Sequence, residues 1–261
     1  MLVADIHRFL DERFPFADAA EWDPVGLQLG DMDHEAELVA VAHEVTDDVV
    51  ESALSGGVAT IVSYHPLLFD PVTAIVAGRA PSGRALRLLH SGISLLVVHT
   101  AMDAAPAGTG DALLTSFGIQ TAGSFAETED GSDCWIGRFG SLPQPTTASS
   151  LAELISKQLV APVRIAGDPG SMLEVVAAVP GSGSSFIEEA AGLADAYVTG
   201  DVSHHGAQSA VDSGLVVLDA GHVPTERPGV ESLYDAVRDV APDAVFITSD
   251  PHPWEDVSWK T

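Results

Sequence analysis

Short β-branched runs bounded by glycine or polar residues alternate along this chain with helix-like segments. LVAVAHEV (38–45), VATIVSYH (58–65), ISLLVVHT (93–100), VRIAG (163–167), LEVVAAVP (173–180), AYVTG (196–200), LVVLDAG (215–221) and AVFITSD (244–250) predict strands. DDVVESALSG (47–56), GRALRLLHSG (83–92), SLAELISKQL (150–159), SFIEEAAGLA (185–194), HHGAQSAVDSG (204–214) and GVESLYDAVRDV (229–240) predict helices, and MLVADIHRFLDERF opens the chain as an amphipathic one. This alternation predicts an α/β fold. Strands that are apolar almost throughout predict sheets covered on both faces.

A polar, Gly/Ser/Pro-rich seam at 125–150, containing the hairpin-like CWIGRFGSLPQPTT, suggests two halves, 1–122 and 123–261. A weak internal repeat supports the division. In the first half SGG leads to VATIVSYH, and HSG to ISLLVVHTAMD. In the second half AGLA leads to DAYVTGDVSHH, and DSG to LVVLDAGHVPTE. The later loop of each half sets a histidine four residues before an acid, His99 with Asp103 and His222 with Glu226. The expectation is two related α/β halves whose strand ends bring these loops together, since ligands of open α/β sheets bind beyond the carboxyl ends of the strands.

Length and composition narrow the class. The 261 residues, 46% of them hydrophobic, suffice for one large or two modest cores. No basic-then-apolar leader and no run of about 18 apolar residues occurs, so no signal peptide and no membrane span are expected. The single cysteine, Cys134, rules out an intramolecular disulfide and a cysteine zinc cluster, which suits a reducing cytoplasm. Eleven basic residues against 38 acidic give a formal charge of −27. Such a surface favours solubility and repels nucleic acid and anionic membranes.

The chemistry concentrates in the strand-end loops. Five of the ten histidines lie there, His65, His99, His204, His205 and His222, accompanied by Asp103 and Glu226. Imidazoles and carboxylates without thiolates are the ligand set of Zn²⁺, Mn²⁺, Fe²⁺ or Co²⁺. A carboxylate can also bridge two such cations. There is no helical HExxH, no Walker loop and no G-x-S-x-G elbow, and Cys134 lacks an evident base. GSGSS (181–185) reads as a strand-to-helix loop with a serine cap, with anion seating as the alternative.

EWDPVGLQLGD (21–31), SYHPLLF (63–69), VHTAMDAAPAGTGDALL (98–114), TGDVSHHGAQSAVDSG (199–214) and DAGHVPTERPGVESL (219–233) together resemble the Nif-three-like proteins. These are also described as dinuclear-metal-centre hexameric proteins or GTP cyclohydrolase 1 type 2 homologues. The five motifs follow the family's order over nearly the whole chain, in its short form. The family's histidine-histidine-proline stretch falls on Tyr64, His65 and Pro66, its HTxxDAA stretch on His99 to Ala105, and its GHxxTE stretch on Gly221 to Glu226.

The resemblance implies a metal site in the cleft between the halves, with one or two divalent cations per chain. His65, Asp103 and Glu226 would hold the first, and His222 with Glu226 the second. Tyr64 stands where a ligating histidine is expected, and a neutral phenol is a far poorer ligand than imidazole. The second cation would then be weakened, absent, or bound through the Tyr64 oxygen or water, unless His205 or His99 compensates. The implied activity is metal-dependent hydrolysis of an unspecified small molecule, with GTP cyclohydrolase type 2-like ring opening as the form the family's name suggests. In it Glu226 would bridge or orient the cations and His99 or His205 would shuttle protons. The alternative is a non-enzymatic metal-binding assembly. A homo-oligomer, a hexamer by resemblance, is expected in either case. Asp201 is expected as a helix cap or a supporting partner, Thr225 beside the bridging acid, and Trp22 in packing. His252 is expected in a solvated tail, and Arg79, Arg84 and Arg227 are the cations available to a phosphate.

Overall fold

The computed structural model describes residues 1–127 and 135–248, so Cys134, His252 and part of the polar seam lie outside the described residues. The strands are β1 (Gly26–Leu29), β2 (Val39–Ala42), β3 (Thr60–Ser63), β4 (Ser94–Val97), β5 (Gln120–Glu127) and β6 (Trp135–Thr147). β7 (Arg164–Ala166), β8 (Met172–Ser182), β9 (Ala196–Gly200), β10 (Val216–Asp219) and β11 (Val245–Ile247) follow. The helices are α1 (Val3–Arg13), α2 (Asp47–Gly56), α3 (Ser82–His90), α4 (His99–Ala104) and α5 (Thr109–Ser116). They continue with α6 (Ala148–Leu159), α7 (Ile187–Ala191), α8 (His204–Ser213) and α9 (His222–Val240).

The fold is α/β with two sheets. The first has the order β1-β4-β3-β2-β11, parallel except for β1. The second has the order β5-β6-β8-β9-β10-β7, with β8, β9 and β10 parallel. The central strands of each are covered on both faces, as their apolar runs require. In the first sheet Val41, Val62 and Leu96 meet Val3, Ile6 and Leu10 of α1 and Leu233 of α9, while Ala40, Ile61 and Leu95 meet α2 and α3. In the second, Ala178, Val198 and Leu218 pack on α5 and α6, and Ala177, Tyr197 and Val217 on α7 and α8.

Three departures from the sequence expectation matter. The polar seam is largely regular structure, because β5 and β6 form an antiparallel pair and β6 continues the sheet to β8. The C-terminal stretch does not stay with the second sheet: α9 packs in the first core and β11 pairs with β2. Finally, α9 begins at His222 and runs through Pro228, whereas the helix expected from sequence begins only at Gly229. Tertiary contact overrides propensity there, since Gly229 packs so closely on Thr109 that an added Cβ would lie 2.5 Å from its Cγ2.

Candidate metal centre

The repeat seen in sequence has a structural counterpart. β3 and β4 run parallel, as do β9 and β10. β4 leads into α4 and β10 into α9, and each of these helices starts on its histidine and carries its acid one turn later. An i, i+4 pair lies on one helix face. The strand ends thus deliver His65 and His99 from the first sheet, and Asp201 and His222 from the second.

Glu226 is the hub. Its carboxylate is 3% exposed, and its Oε2 lies 2.7 Å from His43 Nε2 and 3.1 Å from His65 Nε2. Its Oε1 lies 3.1 Å from His222 Nε2, and His222 Nδ1 is 2.7 Å from Asp201. Burial alone would raise the Glu226 pKa, but hydrogen bonds from His222, His43 and His65 hold it well below the usual carboxylate range. The His222 imidazole is pushed up to about 9 by Glu226, against burial and with help from Asp201. Burial lowers the His65 value despite Glu226.

A second acid behaves differently. Asp103 Oδ1 accepts the Tyr64 hydroxyl at 2.8 Å and the Thr109 hydroxyl as well. Burial pushes its carboxyl up to about 6, and burial with the Asp103 charge pushes the Tyr64 phenol well above its ordinary value. Beside it, His99 Nδ1 is 3.0 Å from Asp23, whose Oδ2 also accepts the Thr100 amide at 2.9 Å. Burial works against a charged His99, yet the Asp23 bond and charge leave its pKa raised. The rings of His43, His99 and His222 lie 4.8, 4.9 and 5.7 Å from that of His65.

The scaffold holds these groups from several directions. Gln28 of β1 accepts the amides of Leu67 and Leu68 at 3.1 and 3.0 Å, which pins the loop after His65. The His65 amide donates to the His43 carbonyl, fixing the two ring-bearing residues side by side. Arg138 of β6 donates to the carbonyls of Asp103, Ala104 and Ala105 at the end of α4. Gly181 (φ +70°) forms the wall beside the hub, where a Cβ would stand 2.3 Å from Glu226 Oε1 and 3.4 Å from His222 Nε2. That bare wall and a donor set of imidazoles and a carboxylate fit a borderline divalent cation. His43, His65 and Glu226 each offer an atom within 4.8 Å of the others, close to what bonds of about 2.0–2.2 Å to one cation would draw together.

The expected residues therefore fall into groups. His65, His222 and Glu226 meet, Tyr64 and Asp103 pair with each other, and His99 stands between. His205 is exposed on α8, its ring 5.4 Å from that of His204, apart from the Glu226 hub. Asp201 orients His222, while Ser203 caps α8. Thr225 donates to the Gly221 carbonyl and accepts the Gly181 amide, a structural duty. Trp22, expected in packing, is half-exposed at the rim, edge-on to Phe69 and His99. Arg84 is tied to Asp47, and Arg227 reaches the Leu159 carbonyl. His43, Asp23 and Gly181 were not picked out from sequence. A cavity of about 220 Å³ reaches His43 from the side of α9 and β11.

These features define an α/β protein with a buried histidine–carboxylate cluster assembled from both of its sheets. The chain belongs to the Duf34/NIF3 (NGG1p interacting factor 3) family, whose match covers residues 1–253. It is 29% identical to the GTP cyclohydrolase 1 type 2 homolog of Clostridium perfringens, over 95% of this chain and 96% of that protein. It is 30% identical to the homolog of the same name from Streptomyces coelicolor, over 97% and 88%. A Staphylococcus aureus hypothetical protein of known crystal structure superposes with a TM-score of 0.87 at 25% identity, covering 98% and 99% of the two chains. The fold is shared as well with a Bacillus cereus protein related to NIF3, at a TM-score of 0.85 and 21% identity over 98% and 99%. No helix among the described residues is long and apolar enough to cross a membrane.

Proposed function

We propose that this protein binds a divalent cation (Zn²⁺, Mn²⁺, Fe²⁺ or Co²⁺) at the Glu226 cluster and hydrolyses a small molecule there. The observation that carries the reading is the buried Glu226 carboxylate, ionised and addressed by three imidazoles. The relatives' shared name, GTP cyclohydrolase 1 type 2 homolog, supports a ring-opening hydrolysis as the first reaction to try. A cation at such a site supplies a nucleophile by lowering the pKa of water toward 7. Glu226 binds and stays charged. His222, tied to Asp201, orients it. His99, held by Asp23 through Nδ1, presents the rest of its ring toward His65 and would exchange the proton. His205, on the exposed start of α8, is the other proton-carrying candidate.

The full chain, stripped and reloaded separately with each of the four cations, is to be assayed on GTP and on phosphoesters. Cation-dependent turnover that His99→Asn diminishes supports the reading. Cation binding with no turnover on any substrate favours a non-enzymatic metal-binding assembly. In either case we place the protein in a homo-oligomer, a hexamer by kinship. The exposed apolar side chains Phe69, Val72, Ile75 and Val76 support self-association, and light scattering of the purified chain tests it.

A further inference from the structure

Two acids enter the cluster, and their partners differ in kind. The Oε2 atom of Glu226 faces the Nε2 atoms of two histidines, whose lone pairs a cation can use. The Oδ1 atom of Asp103 faces two hydroxyl groups, whose protons it accepts. We infer that the centre holds a single cation on His43, His65 and Glu226, with Asp103 kept off it by the Tyr64 and Thr109 hydroxyls. This rests on the cation-binding reading above and specifies which atoms carry it.

His43 is the unexpected member. It follows β2 directly, is 6% exposed, and lies closer to Glu226 than either other histidine does. Its place is set by the main chain, since the His65 amide donates to its carbonyl and β2 is paired to β3 in parallel register. It is therefore presented to the hub with little freedom left to lose. Preorganised ligands of this kind raise affinity by reducing the ordering cost.

One oxygen of the other acid is committed elsewhere. Ligation through Asp103 Oδ1 would displace two buried hydroxyl groups and leave each without its acceptor, which is unfavourable away from water. The Tyr64 hydroxyl, spending its proton on Asp103, is not offered as a phenolate. His222 remains on the opposite Glu226 oxygen and is tied to Asp201, which makes it the residue that aims the carboxylate.

The test uses the full chain, stripped with chelator and dialysed against Mn²⁺ and, separately, Co²⁺. Metal per chain is measured by mass spectrometry and the environment by Mn²⁺ electron paramagnetic resonance and Co²⁺ absorption. The inference expects saturation at one cation per chain and an uncoupled Mn²⁺ spectrum. His43→Ala and His43→Gln should each weaken binding by at least about 100-fold, beyond the 10–100-fold that loss of a mere supporting partner costs. Asp103→Asn and Tyr64→Phe should shift affinity by no more than about threefold, below that same supporting range. Circular dichroism of every variant separates lost ligation from lost folding, and the two His43 substitutions guard against a packing defect in one. Saturation at two cations, or a cation lost on Asp103→Asn and retained on both His43 variants, overturns the inference and leaves the metal reading intact. A folded wild type that binds neither cation overturns both.

Discussion

The first turns of α4 and α9 are near copies in sequence and opposites in chemistry. Each opens on a histidine with an acid four residues on, at the end of a parallel strand. In α9 the histidine turns toward its own acid, and two more imidazoles join it. In α4 the histidine turns away to Asp23, and the acid is left to Tyr64 and Thr109. Both acids are buried, yet Glu226 sits well below the usual carboxylate range and Asp103 rises to about 6. Burial is common to the two, so the partners decide. Donors that can carry positive charge keep an acid ionised, and neutral hydroxyl groups do so less well.

The contrast breaks most severely at Glu226. Glu226→Ala leaves three imidazoles around a void, and the expected cost is about 3–5 kcal/mol of stability, with loss of cation binding. Chemical denaturation and metal content of the purified variant measure the two effects. Asp103→Asn should act in the opposite direction. A folded-state pKa raised from 3.8 to about 6 means the native protein binds the extra proton more tightly than the unfolded chain. Stability contributed by that proton is present at low pH and lost as pH rises through 6, so ionised Asp103 costs about 3 kcal/mol at pH 7–8. The amide avoids that cost. The cation-free variant should therefore gain up to about 3 kcal/mol near pH 8 and little near pH 4, read from denaturation curves at both.

Smaller changes sharpen the comparison. Gly181→Ala puts a methyl 2.3 Å from Glu226 Oε1 at a backbone angle that favours glycine. A loss of about 2 kcal/mol and weaker cation binding are expected, measured by thermal melting with and without cation. Tyr64→Phe removes one of the two hydroxyls on Asp103 and should cost about 1 kcal/mol. It should also raise the Asp103 pKa further, which carbon-13 titration of the labelled carboxyl detects.

The sheets were legible because eight strand runs carry β-branched residues between polar breaks, and the shared His-x-x-x-acid pattern pointed at both helix starts. What the pattern left out has physical causes. α4 spans six residues, too few for a 3.6-residue period to register, and β1 spans four. The return of α9 and β11 to the first sheet is a tertiary choice that no local signal encodes. At the site, His65, His222 and Glu226 were visible as strand-end chemistry. His43 obeys the same rule, one residue past β2, and even has an acid four residues on, but that acid, Asp47, is exposed and tied to Arg84 instead of facing the hub. Asp23 lies in a turn and 76 residues from His99, so only the fold could join them.

The return of the C-terminal stretch to the first sheet also dictates the order in which the cluster comes into being during synthesis. Glu226 is made 183 residues after His43 and 161 after His65. At roughly 5–20 residues per second, the two histidines leave the ribosome about 10–35 seconds ahead of their carboxylate. For that interval the nascent chain has imidazoles and no hub. On the proposed cation-binding reading, capture waits until α9 has been made, and a product ending before α9 would lack the carboxylate that completes the cluster.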